Sequence, residues 1–164
     1  MAKMGDIDLS AFKEFADKIE KLRYKQHNYI GECTTELAQK YLKSVIKLTP
    51  VGEVPKDISE ECKQKYWSGY SGGTLKGAWR SSSPMFTERG GCKVVISNSE
   101  EYASYVEYGH RQKVGRYVPM IEKKLKNNWV EGKYMMTKTN AKIKEGMPRF
   151  LDRKLKQFFE NGLD

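Results

Sequence analysis

The residues that could carry chemistry are few and scattered. Glu100, Glu101 and Glu107 are of the type that donates or abstracts protons in catalysis. No nucleophile, oxyanion donor or perturbing partner is identifiable near them, so we read them as solvated acids by a helix start, where the backbone dipole favours negative charge. His27 and His110 are the two histidines, and neither has a second His or Cys at ligand spacing. Cys33, Cys62 and Cys92 are odd in number and widely spaced, with no C-x-x-C, which suggests neither a zinc site nor a disulfide framework. The run Gly69-Tyr70-Ser71-Gly72-Gly73-Thr74-Leu75-Lys76-Gly77 is only superficially a phosphate loop. Such a loop needs Ser or Thr after its lysine, and Gly77 stands there. We therefore expect no catalysis, no cofactor and no metal.

The charge pattern offers a different chemistry. The formal net charge is +9. Up to His110 the chain is nearly neutral, with 16 Lys/Arg against 15 Asp/Glu, whereas residues 111–164 hold 14 against 6. That basic third interleaves its cations with Tyr117, Trp129, Tyr134, Phe150 and Phe158. Phosphate neutralisation and base stacking use these residue types. Phe150 and Phe158, however, fall on the apolar face of a helix, and no helix-turn-helix, zinc finger or oligonucleotide-binding signature is present. A solvated basic face, an acidic protein neighbour and nucleic acid all remain open.

The elements that must position these residues follow from periodicity. We expect one domain over 1–164, large enough for a core, synthesised in a reducing, intracellular setting. No stretch is apolar enough to cross a membrane, and the N-terminus lacks the apolar region of a secretory signal. Residues 1–8 read as a flexible arm. Ser10 can cap a helix in which Phe12, Phe15, Ile19 and Leu22, then Ile30, Cys33, Leu37, Ala38, Tyr41, Val45 and Leu48, recur at helical spacing. The polar patch 25–28 could divide it into two pieces, and Thr49-Pro50 ends it. Residues 58–67 allow one or two helical turns. Thr74–Ser82 reads as a strand, followed by a short strand and turn over 84–91. Lys93–Ser97 is the clearest strand, and Tyr117–Met120 is an edge strand because Pro119 cannot donate to a ladder. No state is assigned to 121–128. A helix starting near Lys133 is expected to break at Gly146 and Pro148, restart, and close at Gly162.

One stretch organises the rest. Tyr102, Tyr105 and Tyr108 are spaced three apart, which puts their rings on one side of a short helix. Gly109 stops that helix, and His110 and Arg111 follow as cations at its negative end. The rings either plug into the core or present a surface to a partner, and core packing is the simpler expectation. Trp79, Val95, Tyr102, Tyr105, Tyr108 and Gly109 are accordingly taken as core or turn anchors. Tyr117, Lys123, Lys124, Lys126 and Trp129 are taken as candidate partner contacts.

Three segments together resemble the tail-completion, or head–tail joining, family of tailed bacteriophages, which also occurs in defective prophages and phage-tail-like bacteriocins. They are Thr49-Pro50-Val51-Gly52 resumed at Gly73–Trp79; Val94–His110, centred on Glu101-Tyr102-Ala103-Ser104-Tyr105-Val106-Glu107-Tyr108-Gly109; and Trp129–Met136 leading into the final helix. Segments 53–72 and 112–128 stand as inserted loops relative to the family pattern. The resemblance implies an α+β subunit with a long N-terminal helix, a small antiparallel sheet and a C-terminal helix. It implies a structural, non-catalytic neck protein, in a ring, hexameric or of another number, at the head-proximal end of the tail. Its neighbours would be tail-terminator or tube proteins and the head connector, with DNA in the lumen and no membrane. It would work in the virion or tail-like particle after assembly in the host cytoplasm. A DNA-binding module using the basic third is the alternative.

Overall fold

A computed structural model describes residues 10–160, except for the side chains of residues 10–12, 22 and 24. The arm expected over 1–8 and the closure at Gly162 lie outside the described residues. So do the side chains behind the Ser10 cap and the Phe12 and Leu22 positions.

The first element is one helix, α1, Ser10–Leu48. Its 39 residues span about 58 Å at the standard rise. The polar patch 25–28 does not divide it, because Lys25 and Gln26 are good helix formers. His27 is also held, its ring stacked on Phe86 with centroids 3.6 Å apart. At the far end the Thr49 hydroxyl donates to the Val45 carbonyl (2.7 Å), and Pro50 follows. Along α1, Cys33, Ala38 and Val45 are buried, whereas Phe15, Ile19 and Leu48 are exposed.

The second long helix, α5, is Met135–Glu160. It runs unbroken through Gly146 and Pro148, against expectation. Pro148 removes one backbone hydrogen bond, but packing on α1 holds both halves in line. Phe150 is buried, Lys154 pairs with Glu36 at 2.6 Å, and Phe158 lies 4.5 Å from Tyr29 between ring centroids.

Between the long helices lie short elements. Helix α2 is Glu60–Tyr66, capped by the Ser59 hydroxyl, which accepts from the Cys62 N–H at 3.1 Å. Helix α3 is Thr74–Gly77, where a strand is expected. Gly73 enters it at φ 83°, the left-handed region where glycine carries no steric penalty. Only then does strand β1, Trp79–Ser81, begin, with Leu75 and Trp79 buried and Gly77 exposed.

The strands form four separate two-stranded antiparallel ladders rather than one sheet. β1 pairs with β4 (Ile96–Asn98), and β2 (Met85–Phe86) with β3 (Cys92–Lys93). β5 (Gly109–Arg111) pairs with β8 (Trp129–Glu131), and β6 (Tyr117–Val118) with β7 (Lys123–Lys124). The expected strand 93–97 is split at Val94–Val95, where the backbone of Val95 turns to Ser82 instead. The expected edge strand at Tyr117–Met120 gives way at Pro119 to a single 3-10 turn, Pro119–Ile121. β7 falls in the stretch left without a state.

The core gathers Val45 of α1, Leu75 of α3, Trp79 of β1 and Met135 of α5, with Tyr41, Leu42, Ile96, Ala103 and Val106 against them. Trp79 is 5% exposed, and its indole N–H donates to the Thr49 hydroxyl at 2.8 Å. One hydroxyl therefore finishes α1 and satisfies the buried indole.

Candidate interaction surface

The tyrosine segment forms helix α4, Ala103–Tyr108, with Tyr102 just before it. All three rings reach solvent rather than filling the core. Tyr102, Tyr105 and Tyr108 are 42%, 59% and 61% exposed, so they are not core anchors. Three-residue spacing groups the rings without saying which way the group faces. Ala103 and Val106 take the opposite side, against the core cluster. The Tyr102 phenol is pushed above its usual pKa, first by partial desolvation and then by the charge of Glu100. Tyr105 meets the His110 ring edge-on, 5.7 Å between centroids.

Val95 is likewise not a core residue. It is 40% exposed, in the break between β3 and β4, while its neighbour Ile96 packs against the core. Trp79 is buried in the core cluster, and Gly109 follows the end of α4. Gly109 sits at φ 83°, and a Cβ there would run into the Val130 carbonyl oxygen and come within 2.9 Å of the Gly132 nitrogen. Gly132 in turn lies against the carbonyl oxygen of Glu107. Two glycines thus let the base of the β5–β8 ribbon press on the end of α4.

Glu107 is a solvated acid by sequence and a buried one in the structure, 4% exposed. Its carboxylate accepts from the N–H of Met136 (2.9 Å), the N–H of Thr137 (3.0 Å) and the Thr137 hydroxyl (2.9 Å). It therefore caps the start of α5 from another element, satisfying donors that a helix N-terminus leaves free. No local spacing rule finds such a cap, because its partner lies 29 residues on. Glu100 and Glu101 do not join it. Among the described residues no cluster of His, Cys, Asp and Glu could hold a metal, and no helix is long and apolar enough to cross a membrane.

The candidate contacts Tyr117, Lys123, Lys124, Lys126 and Trp129 do come together. Residues 109–131 form one long hairpin arm. Its ladders β5–β8 and β6–β7 are joined by bonds from Gln112 N–H to the Asn128 carbonyl and from Leu125 N–H to the Arg116 carbonyl. Tyr117 lies opposite Lys124 and Arg111 opposite Trp129, so each pair shares a ribbon face. All five candidates are exposed. The arm carries six Lys/Arg against Glu122 and Glu131.

The tip of the arm is clasped by the segment 53–72. The Glu122 carboxylate accepts from the Ser59 N–H (2.7 Å) and hydroxyl (2.6 Å), which holds its pKa below the usual range. The Trp67 indole N–H donates to the Met120 carbonyl at 2.7 Å, and the Cys62 thiol to that of Pro119 at 3.4 Å. Lys123 reaches Asp57 at 3.3 Å. Burial pushes the Cys62 thiol up. Nothing in the sequence alone signals that these two loops meet.

The elements define an α+β protein in which two long helices carry a short aromatic helix and a basic arm, both turned outward. The chain belongs to the HK97-gp10-like family: the family model described as "Bacteriophage HK97-gp10, putative tail-component" matches residues 13–109, from α1 through α4. It is thus a bacteriophage tail component. The basic arm lies beyond the matched stretch. Comparison with curated proteins found no match, and neither did comparison with solved structures.

Proposed function

We propose that the protein is a structural neck component that completes the tail or joins it to the head, assembling as a ring at the head-proximal end of the tail. The observation that carries this reading is the family match over 13–109. The tail-completion resemblance of the tyrosine segment narrows it to the neck. Exposed tyrosines on α4 supply contact area of the kind that protein interfaces favour. Among the described residues the one deeply buried glutamate, Glu107, caps a helix, which supports a non-catalytic role. In this reading the ring meets tail-terminator or tube proteins on one side and the head connector on the other. It acts in the virion or tail-like particle after assembly in the host cytoplasm. Light scattering of the purified chain, followed by electron microscopy with isolated tails, tests it. A defined ring, or saturable binding at one tail end, is expected. A monomer that ignores tails and is absent from purified particles refutes it.

The hairpin arm supports a second reading, contact with DNA. Its cations run along a ribbon bearing exposed Tyr117 and Trp129, and such a contact could face the lumen of the ring. Neutralised phosphates release counterions, so duplex affinity should fall steeply with salt. No duplex binding at low salt removes this reading.

A further inference from the structure

A second feature of the surface is opposite in charge to the exposed tyrosine segment. Between α1 and α5 runs a groove of about 410 Å³. Leu37 and Ile143 give it an apolar lining, and at its floor lies the buried Phe150 ring, with the Lys40 ammonium 4.2 Å from the ring centroid. Gly146 opens its α5 wall, since a Cβ there would meet no atom within 4 Å. A glycine inside a helix is less favourable than alanine, and an open groove gives that position a use. The rim is made of Lys40, Lys43, Lys47 and Lys142, with no acid among the lining residues. Lys40 is held by Glu36 at 2.8 Å. Lys43, Lys47 and Lys142 make no ion pair with a described acid.

The tyrosine helix has the opposite character. From Val94 to Gly109 the chain has no Lys or Arg; of its three acids Glu107 is buried, Glu100 is half-buried and Glu101 is exposed. Glu101, just before the N-cap Tyr102, is exposed there, as are Tyr105 and Tyr108. The residues beneath α4, including Trp79, Asn98, Met135 and Met136, are not among those lining the groove. The two patches are separate surfaces of one chain, so a contact between them joins unlike faces of neighbouring copies. Such a contact repeats head to tail and closes as a ring when its rotation allows.

We propose that the Tyr105–Tyr108 face of α4 in one copy docks into the lysine-rimmed α1–α5 groove of the next. This rests on the ring reading above and specifies its interface. At +9 per copy, long-range repulsion opposes assembly while the local pairing favours it. Added salt weakens both, so salt dependence is a poor test. Complementation between variants is a sharper one.

The experiment uses the full chain in two variants. Gly146→Gln fills the groove, and Tyr105→Ser with Tyr108→Ser removes the plug. Gly146→Gln should melt no lower than wild type, because glutamine is the better helix former. By light scattering, wild type should give a ring and each variant alone a 19.0 kDa monomer. Mixed one to one, the variants retain one good groove and one good plug between them, so they should form a dimer and nothing larger. Glu101→Lys should weaken assembly by up to about five-fold, the range of an exposed pair, and Lys43→Glu in the same chain should restore it. If either variant alone assembles like wild type, or the mixture stays monomeric while wild type forms a ring, this interface is wrong and the ring reading stands. If wild type stays monomeric at its highest soluble concentration, this interface fails, and binding to isolated tails decides the neck reading separately.

Discussion

Replacing Glu107 by alanine removes the cap of α5 while leaving its apolar contacts in place. Three donors lose their acceptor: the Met136 N–H, the Thr137 N–H and the Thr137 hydroxyl. Thr137 is exposed, so water replaces the carboxylate at two of them; Met136 is half-buried, and its N–H is compensated less well. Loss of a cap costs about 0.5–2 kcal/mol, and loss of the charge at the helix start about 0.3–1 kcal/mol. A poorly satisfied donor adds about 1 kcal/mol or more. Relief from holding a buried charge offsets part of this, leaving roughly 2–4 kcal/mol. For a chain of this size that lowers Tm by roughly 5–15 °C. Glu107→Gln keeps one carbonyl acceptor and should fall between alanine and wild type. Glu101→Ala, an exposed neighbour, should change stability by no more than about 0.5 kcal/mol. Thermal melting followed by circular dichroism reads all three. If Glu107→Ala and Glu101→Ala melt together, the capping argument is wrong.

Trp79→Ala should destabilise by about 3–5 kcal/mol, the range for a buried aromatic, and leave the Thr49 hydroxyl without its donor; an unchanged denaturation midpoint would show that the ring does not anchor the core. Gly109→Ala should cost about 1–3 kcal/mol from backbone strain, plus the collision with Val130, read as a lower urea midpoint, whereas Gly115→Ala should avoid the collision because a Cβ there meets nothing within 4 Å. Glu36 sits between Lys154 and Lys40, whose hydrogen bonds lower its pKa from 4.5 to about 2. A depressed carboxyl stabilises the fold above its unfolded pKa and loses that contribution as pH falls through the folded one. Between pH 4.5 and about 2 wild type should therefore lose stability more steeply than Glu36→Gln; parallel curves from acid titration would refute the pairing.

The long-range periodic signals in the chain were legible. Apolar residues recurring from Ile30 to Val45 mark α1, and those from Phe150 to Phe159 mark the end of α5. Trp79 and Gly109 were legible too, since a large ring wants burial and a positive φ favours glycine. What escaped depended on partners distant in sequence. Tyrosine spacing fixes a shared side but not its direction; Ala103 and Val106, small enough to approach the core, decide that. Pro148 reads as a break only if its helix stands alone, whereas α1 supports it on both sides. Glu107 and the arm–α2 clasp join residues far apart in the chain, where local pattern is silent.

The clasp between 53–72 and 112–128 also bears on how such a chain can change through descent. Ile58 and Cys62 are buried, and Cys62, Ser59 and Trp67 hydrogen-bond to the tip of the arm. Deleting the arm tip alone would strip those partners from α2 and open the buried Cys62 to water; deleting α2 alone would leave the exposed Glu122 carboxylate and Met120 carbonyl to water and the arm tip without its clasp. Neither segment is a free appendage that can be lost without harm to the other. The two should therefore be gained, kept and shed as a pair, so that a relative trimmed at one is trimmed at both.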